Sequence, residues 1–277
     1  MQILVSSAKG ASGNGYGAVL AFDLDGRASG TFCRDSRVTD PRGMCVDPRA
    51  DLLYVNSGND RIVALDRNGE IVRDTGPFDG LDPGGGVFGP DGRYYVDSRR
   101  LRTIMVVPAG LDGPVNAHLP TEVVPFPRGF AFASDGRMFL ASGMSPSGVG
   151  EETIKVFGAD GLPVVARLVD DPQLSPLDLT IAPNGNIVVS CEWPFGAEDA
   201  ISSVREYDNT SGRLVRVFTT DGSVLFRNPR GLRFGPDGNL YCVAREEVVS
   251  FDFATGAYAG AVIQLPDLFG QALEFFA

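Results

Sequence analysis

The chain has 277 residues, of which 43% are hydrophobic and 21% are charged, so long disordered stretches are not expected. Its 24 Lys and Arg against 35 Asp and Glu give a net charge of −11, which opposes non-specific binding to the phosphate backbone of nucleic acids. No run of about 18 apolar residues occurs, so no membrane-spanning helix is expected.

The first 40 residues contain three β-prone runs, at 3–6, 18–22 and 28–32. The chain enters the first of these runs at once, without the basic and apolar regions of a signal peptide. Its four cysteines form no C-x-x-C pair. We therefore expect free, buried thiols in a protein of the cytoplasm.

The segment from 41 to 72 contains four short β-prone runs separated by turn residues. The sequence Pro41-Arg42-Gly43 opens the first run, and Ser57-Gly58-Asn59-Asp60 separates the second from the third. Asn68-Gly69 predicts a hairpin before the fourth run, because both residues tolerate a positive φ. The four runs are termed A to D below.

The same frame returns along the chain, with starts at Pro83, Pro127, Pro176 and Pro229. Counted from 41, the starts at 83, 127, 176 and 229 are 42, 44, 49 and 53 residues apart. This period is typical of the four-stranded blades of a β-propeller.

The two ends of the chain complete one more blade. The N-terminal blade lacks run A, and residues 271–275 (Gln-Ala-Leu-Glu-Phe) match the run A pattern of residues 230–234 (Arg-Gly-Leu-Arg-Phe). The sequence thus predicts an all-β, six-bladed propeller in one domain, closed by three N-terminal strands and one C-terminal strand. The six blades are expected at residues 1–40 with 270–277, 41–82, 83–126, 127–175, 176–228 and 229–269.

The copy that starts at Pro41 resembles an NHL repeat, with its Pro-x-Gly, its Asp47-Pro48 turn and its Ser-Gly-Asn-Asp-Arg-Ile segment. The resemblance extends over nearly the whole chain and implies a six-bladed propeller, which we expect to be monomeric. The family includes scaffolds, sensors and a few enzymes, so the resemblance says little about activity. It also implies that ligands bind at one end of the central channel, here called the channel mouth. This end is surrounded by the loops that join run B to run C and those that join run D to run A of the next blade.

The residue at the middle position of each frame is expected at the channel mouth, including the two frames that read Pro-Leu-Asp at 176–178 and Gly-Gln-Ala at 270–272. Around the ring these residues are Gln271, Arg42, Gly84, Arg128, Leu177 and Arg230. Arginine thus falls on alternate blades, and guanidinium groups are suited to binding carboxylate or phosphate. Two interpretations remain open: the arginines form an anion site, or they pair with acidic neighbours such as Asp97, Asp178 or Glu192.

Two long B–C loops border the predicted mouth, at 141–152 and 190–199, and long loops in compact domains are often functional. The second carries the only tryptophan, Trp193. Its indole is expected either to contact a ligand or protein partner or to pack the loop onto its own blade.

Enzymatic function is the alternative to binding. Gluconolactonase-type propellers, which the chain resembles more distantly, hold a divalent cation such as Ca²⁺ by acidic and amide side chains. Asp178 is placed for such a role, with Asp97 and Glu192 nearby, but the set is incomplete. Lyases of the virginiamycin and peptide-amidating types need histidine, and the only one here is His118, expected on the surface of the third blade.

The sequence therefore favours a binding module over an enzyme. Its expected ligand is a small anion or a protein partner, with nucleic acid and membrane disfavoured. We assign no catalytic residue, no metal ligand and no cofactor. The predicted ligand-binding residues are Arg42, Arg128, Arg230, Gln271, Asp97, Asp178, Glu192 and Trp193.

Overall fold

The computed structural model describes residues 1–8, 17–120, 123–145, 147–148, 150–192, 202–221 and 226–277. In these ranges 24 strands form six four-stranded antiparallel sheets. None of the described residues belongs to a helix that could cross a membrane.

Each sheet is one blade, and the blades are numbered here in chain order. Blade 1 contains β1 (Gln2–Ser7), β2 (Ala18–Phe22), β3 (Ala28–Cys33) and β24 (Gly270–Phe276). Blade 2 contains β4 (Pro41–Asp47), β5 (Leu52–Ser57), β6 (Arg61–Leu65) and β7 (Ile71–Asp74). Blade 3 contains β8 (Pro83–Phe88), β9 (Tyr94–Ser98), β10 (Thr103–Val107) and β11 (Asn116–Ala117). Blade 4 contains β12 (Pro127–Phe132), β13 (Met138–Met144), β14 (Gly150–Phe157) and β15 (Pro163–Val165). Blade 5 contains β16 (Pro176–Ile181), β17 (Ile187–Cys191), β18 (Ser203–Tyr207) and β19 (Leu214–Phe218). Blade 6 contains β20 (Leu232–Phe234), β21 (Leu240–Val243), β22 (Glu247–Phe251) and β23 (Tyr258–Gln264).

The hydrophobic core lies between neighbouring blades. Among the described residues it forms six clusters, one at each interface between two blades. The middle strands are therefore covered on both faces: every residue of β2, β9 and β10 is buried. Outer strands such as β3 and β19 are largely exposed. This burial explains why the middle strands are nearly continuous apolar runs.

The ring closes as the sequence predicts. Strand β24 pairs antiparallel with β1, with Phe275 opposite Ile3 and Leu273 opposite Val5. The two ends of the chain thus share one sheet, which removes two exposed strand edges. The fold class and the mode of closure are confirmed.

The four cysteines are free, as predicted. Cys33, Cys191 and Cys242 are buried, and Cys45 is half-buried in β4. Burial raises the pKa of Cys45 and of Cys191 to about 12, so neither thiol has thiolate character at neutral pH.

Some of the innermost strands approach a neighbouring blade so closely around the channel that glycine is required at the point of contact. A Cβ atom on Gly129 of β12 would lie 2.6 Å from the Cα of Asp178 on β16, in the next blade. A Cβ atom on Gly43 of β4 would lie 2.8 Å from the Cα of Gly85 on β8. Gly43 and Gly129 therefore allow neighbouring blades to approach closely at the channel, whereas Gly85, at the same frame position in blade 3, leaves room for a side chain.

Replacing Gly129 by alanine is expected to lower the free energy of unfolding by about 1–3 kcal/mol, because the new methyl group meets backbone that cannot move aside. Gly85→Ala is the matched control, since its Cβ would have its nearest neighbours at 3.4 Å, an ordinary contact distance. Urea unfolding followed by circular dichroism measures both. Equal unfolding midpoints for the two variants would contradict this account of the frame.

Candidate functional site

A cavity of about 60 Å³ opens where the six innermost strands meet at the channel mouth. The residues at the middle position of all six frames line it: Arg42, Gly84, Arg128, Leu177, Arg230 and Gln271. The frame brings them together because it places each of them at the start of an innermost strand. Of the other predicted residues, Asp97 and Asp178 also line the cavity.

Arg42 is neutralised within the protein. Its Nη1 lies 2.6 Å from Oδ1 of Asp82, and its Nε lies 3.2 Å from Oδ2 of Asp40. Both aspartates directly precede the proline of a Pro-x-Gly segment and adopt positive φ, 49° for Asp40 and 39° for Asp82. For Arg42, the ion-pair interpretation therefore describes the structure, although its partners are not the acids that the sequence suggested.

Arg128 has no such partner in the part of the chain that the structure describes. One guanidinium nitrogen donates a hydrogen bond to the Met144 carbonyl oxygen at 3.3 Å, and the group lies over the Phe126 ring, 4.5 Å from its centroid. Its Nε is buried and has no hydrogen-bond partner among the described residues. Burial and, to a smaller extent, the nearby positive charge of Arg99 lower the pKa of Arg128 to about 10, and the charge of Glu192 offsets only part of this shift.

Arg230 lines the same cavity and has a similar environment. It forms no ion pair with a described carboxylate. Burial lowers its pKa, the charge of Glu192 opposes this shift, and the charge of Arg99 adds to it. Arg128 and Arg230 are thus half-buried cations that are both repelled by the positive charge of Arg99.

Arg99 is a site residue that was not predicted from the sequence. It directly follows β9 at the start of a B–C turn and lines the cavity. Its Nε is buried and has no hydrogen-bond partner among the described atoms. The signal was available, because B–C loops were expected at the mouth and Arg99 is the first residue of one.

Asp97 lies on β9 beside these arginines and is completely buried, with 0% of its surface exposed. Neither of its carboxyl oxygens has a hydrogen-bond partner among the described residues. Burial raises the pKa of Asp97 to about 7, although the positive charges of Arg99, Arg42 and Arg128 all act in the opposite direction. A buried carboxyl group without hydrogen bonds destabilises the folded protein, so its presence in a cavity indicates a functional role such as ligand binding.

Asp178 instead belongs to the structural floor of the channel. It accepts backbone hydrogen bonds from Leu179 at 2.9 Å and from Leu232 at 3.1 Å, and it lies 3.8 Å from Nη1 of Arg233. Arg233, also not predicted from the sequence, pairs with Glu274 and donates to the Met44 carbonyl oxygen at 2.7 Å. These bonds link blades 1, 2, 5 and 6 beneath the mouth.

The remaining predicted residues have less definite places. Gln271 lines the cavity, and its amide donates to the Phe269 carbonyl oxygen at 3.3 Å. Glu192 directly follows β17 and acts electrostatically on Arg128 and Arg230. Trp193 and most of its loop lie outside the described residues.

The described residues do not fit a divalent metal ion. No group of three or more His, Cys, Asp or Glu side chains among them could hold one. Asp178 already accepts two backbone hydrogen bonds, and Asp97 faces cationic side chains. His118 is half-buried against the Tyr95 ring, 4.9 Å between centroids, rather than exposed as expected, and it does not line the cavity.

Comparison of the sequence with protein-family models and with curated proteins gives no match. Comparison of the fold with solved structures gives many. A propeller of a nidogen/laminin complex is 14% identical, with a TM-score of 0.75, over 98% of this chain and 97% of that chain. A gluconolactonase from Xanthomonas campestris is 16% identical, with a TM-score of 0.63, over 95% and 85% of the two chains.

Virginiamycin B lyase from Staphylococcus aureus is a third structural neighbour. It is 15% identical, with a TM-score of 0.59, over 84% of this chain and 73% of that chain. At such identities the likeness establishes the six-bladed propeller and nothing finer. Binding propellers and enzymes are both among these neighbours, so the function must be inferred from the site itself.

Proposed function

We propose that this propeller is a binding module whose channel mouth takes a small anionic group, a carboxylate or a phosphate. The observation that carries the proposal is the group of three cations lining one cavity, Arg99, Arg128 and Arg230, without a paired carboxylate among the described residues. This group is called the arginine cluster below.

The electrostatics of the arginine cluster favour an anion from outside. Half-buried guanidinium groups that repel one another cost free energy, and a bound anion would offset both their partial desolvation and their repulsion. Among the described residues, the carboxyl groups whose charge acts on Arg128 or Arg230 are those of Glu192, Asp97 and Asp40. Asp40 is already paired with Arg42. Hydrogen bonds between guanidinium groups and carboxylate or phosphate are among the strongest in proteins.

The size of the cavity limits what can enter. A volume of about 60 Å³ is enough for a few water molecules but not for a whole sugar or drug-sized ligand. The ligand is therefore a small anion or the charged end of something larger, such as a carboxylate of a protein partner. The gluconolactonase alternative is less well supported, because the described residues supply no metal-binding group.

Isothermal titration at pH 6, low ionic strength and constant sodium concentration tests the proposal with acetate and sulfate as probes. Saturable binding with one site per chain, shared competitively by the two anions, is the expected result. Chloride at equal ionic strength controls for general screening. Saturable binding of Ca²⁺ without anion binding would overturn the proposal in favour of the hydrolase alternative.

A further inference from the structure

We propose that Asp97 binds the anion as a neutral carboxylic acid, donating a hydrogen bond to one of its oxygens, so that the site takes up an anion together with a proton. The inference rests on the proposed function and deepens it, because it states what chemistry the ligand must present to Asp97. The residue would then be a specificity determinant of the arginine cluster.

The geometry around Asp97 supports this role. The carboxyl group is fully buried and lines the cavity that the arginine cluster lines, and both of its oxygens lack a hydrogen-bond partner in the described structure. The carboxyl group lies against Gly84 of β8, where a Cβ atom would be only 2.4 Å from Oδ2 and 2.7 Å from Oδ1. The absence of a side chain at Gly84 therefore leaves room for the carboxyl group beside the cavity.

The charges that face Asp97 come from four elements. Arg42 on β4, Arg99 in the loop after β9 and Arg128 on β12 favour the ionised form, and Asp178 on β16 favours the neutral form. Burial outweighs the three cations and holds the pKa of the free protein at about 7. An anion bound against the arginines would add negative charge and screen their effect, which raises this pKa further.

The protonation state determines the class of ligand. A neutral Asp97 offers one O–H donor, which suits an oxygen that only accepts, as in a carboxylate or sulfate. An ionised Asp97 accepts only, so it would prefer a ligand that brings its own hydroxyl donor. Two negative groups in contact without a proton between them would repel each other strongly. Paired carboxylates in proteins share one proton for this reason. A fully ionised oxyanion is therefore the expected ligand.

The sign of the pH dependence follows from linkage. Because the bound state holds the proton more tightly than the free state, affinity is greatest below the free pKa and falls as pH rises above it. With a free pKa of about 7, affinity for sulfate is expected to fall about tenfold between pH 6 and pH 8. Sulfate is the probe because its own charge is constant over this range.

The test compares three proteins in the same titrations. Asp97→Asn carries a neutral amide that still donates a hydrogen bond, so it should keep the affinity of the wild type at pH 6 and lose the dependence on pH. Glu192→Gln removes a different carboxylate near the arginines, and it should bind sulfate more tightly while retaining the tenfold fall. Affinity that rises with pH, or a fall that persists in Asp97→Asn, would overturn the role of Asp97.

A second measurement keeps the inference testable if Asp97→Asn does not fold. Titration of the wild type at pH 7.5 in two buffers of different ionisation enthalpy gives the number of protons taken up per sulfate. With a free pKa of about 7, we expect roughly one-half to three-quarters of a proton. No proton uptake with sulfate still bound would refute the inference and leave the proposed function standing. No sulfate binding at any pH would refute the proposed function itself.

Discussion

Charge reversal at Arg128 (R128E) is expected to weaken sulfate binding at least about a hundredfold while the ring stays folded. The change removes a charge-assisted hydrogen-bond donor and places a negative charge among groups that would hold the anion. Two unit charges about 5 Å apart at an effective dielectric constant of about 20 interact by about 3 kcal/mol, or more than a hundredfold in affinity. The fold should survive, because Arg128 has no ion-pair partner to lose among the described residues.

Arg137→Glu is the matched control for that experiment. Arg137 pairs with Asp135 in an A–B turn at the opposite end of the channel, so its reversal changes the net charge equally. Titration should show near-normal sulfate affinity for this variant. Equal losses in the two variants would mean that the total charge, not the arginine cluster, governs binding.

Replacing Leu273 by alanine is expected to destabilise the protein by about 2–5 kcal/mol, the range for truncating a large buried aliphatic side chain. Leu273 is 0% exposed on β24 and packs in the cluster of blades 1 and 6 with Ile3 and Val5. Because β24 pairs with β1, the loss of stability should also affect the N-terminal strand. Hydrogen exchange should show faster exchange of the β1 amides.

Val215→Ala on the outer strand β19 is the control for this experiment, since Val215 is 53% exposed. Its unfolding free energy should stay within about 0.5 kcal/mol of the wild type. If Leu273→Ala left the β1 amides as protected as in the wild type, closure of the ring by β24 would not stabilise the N-terminal strands.

The fold could be predicted from the sequence because its repeat is local. Each frame contains its own turn residues, and the match between residues 271–275 and 230–234 is sufficient to predict closure. The frame also determines where the strands start, so the sequence predicts that the arginines at 42, 128 and 230 meet at the channel mouth. All three line its cavity.

The contacts of those arginines could not be predicted in the same way. The pairing of Arg42 with Asp82 depends on a positive φ in the loop before a neighbouring blade, which no frame position reveals. The difference between Asp97 and Asp178 is of the same kind. Both are aspartates of innermost or second strands, but only Asp178 meets backbone N–H groups from its own and the next blade. The burial of these side chains and their partners in other blades are set only when the ring closes, so the repeat in the sequence does not reveal them.

The most direct test of the anion site is a crystal structure with selenate, a heavier analogue of sulfate, located by its anomalous scattering. We expect a selenium peak in the channel mouth, within hydrogen-bonding distance of the guanidinium groups of Arg128 and Arg230 and beside the Asp97 carboxyl group. A channel mouth without selenate, in crystals that hold it elsewhere on the surface, would contradict the claim that the arginine cluster is an anion site.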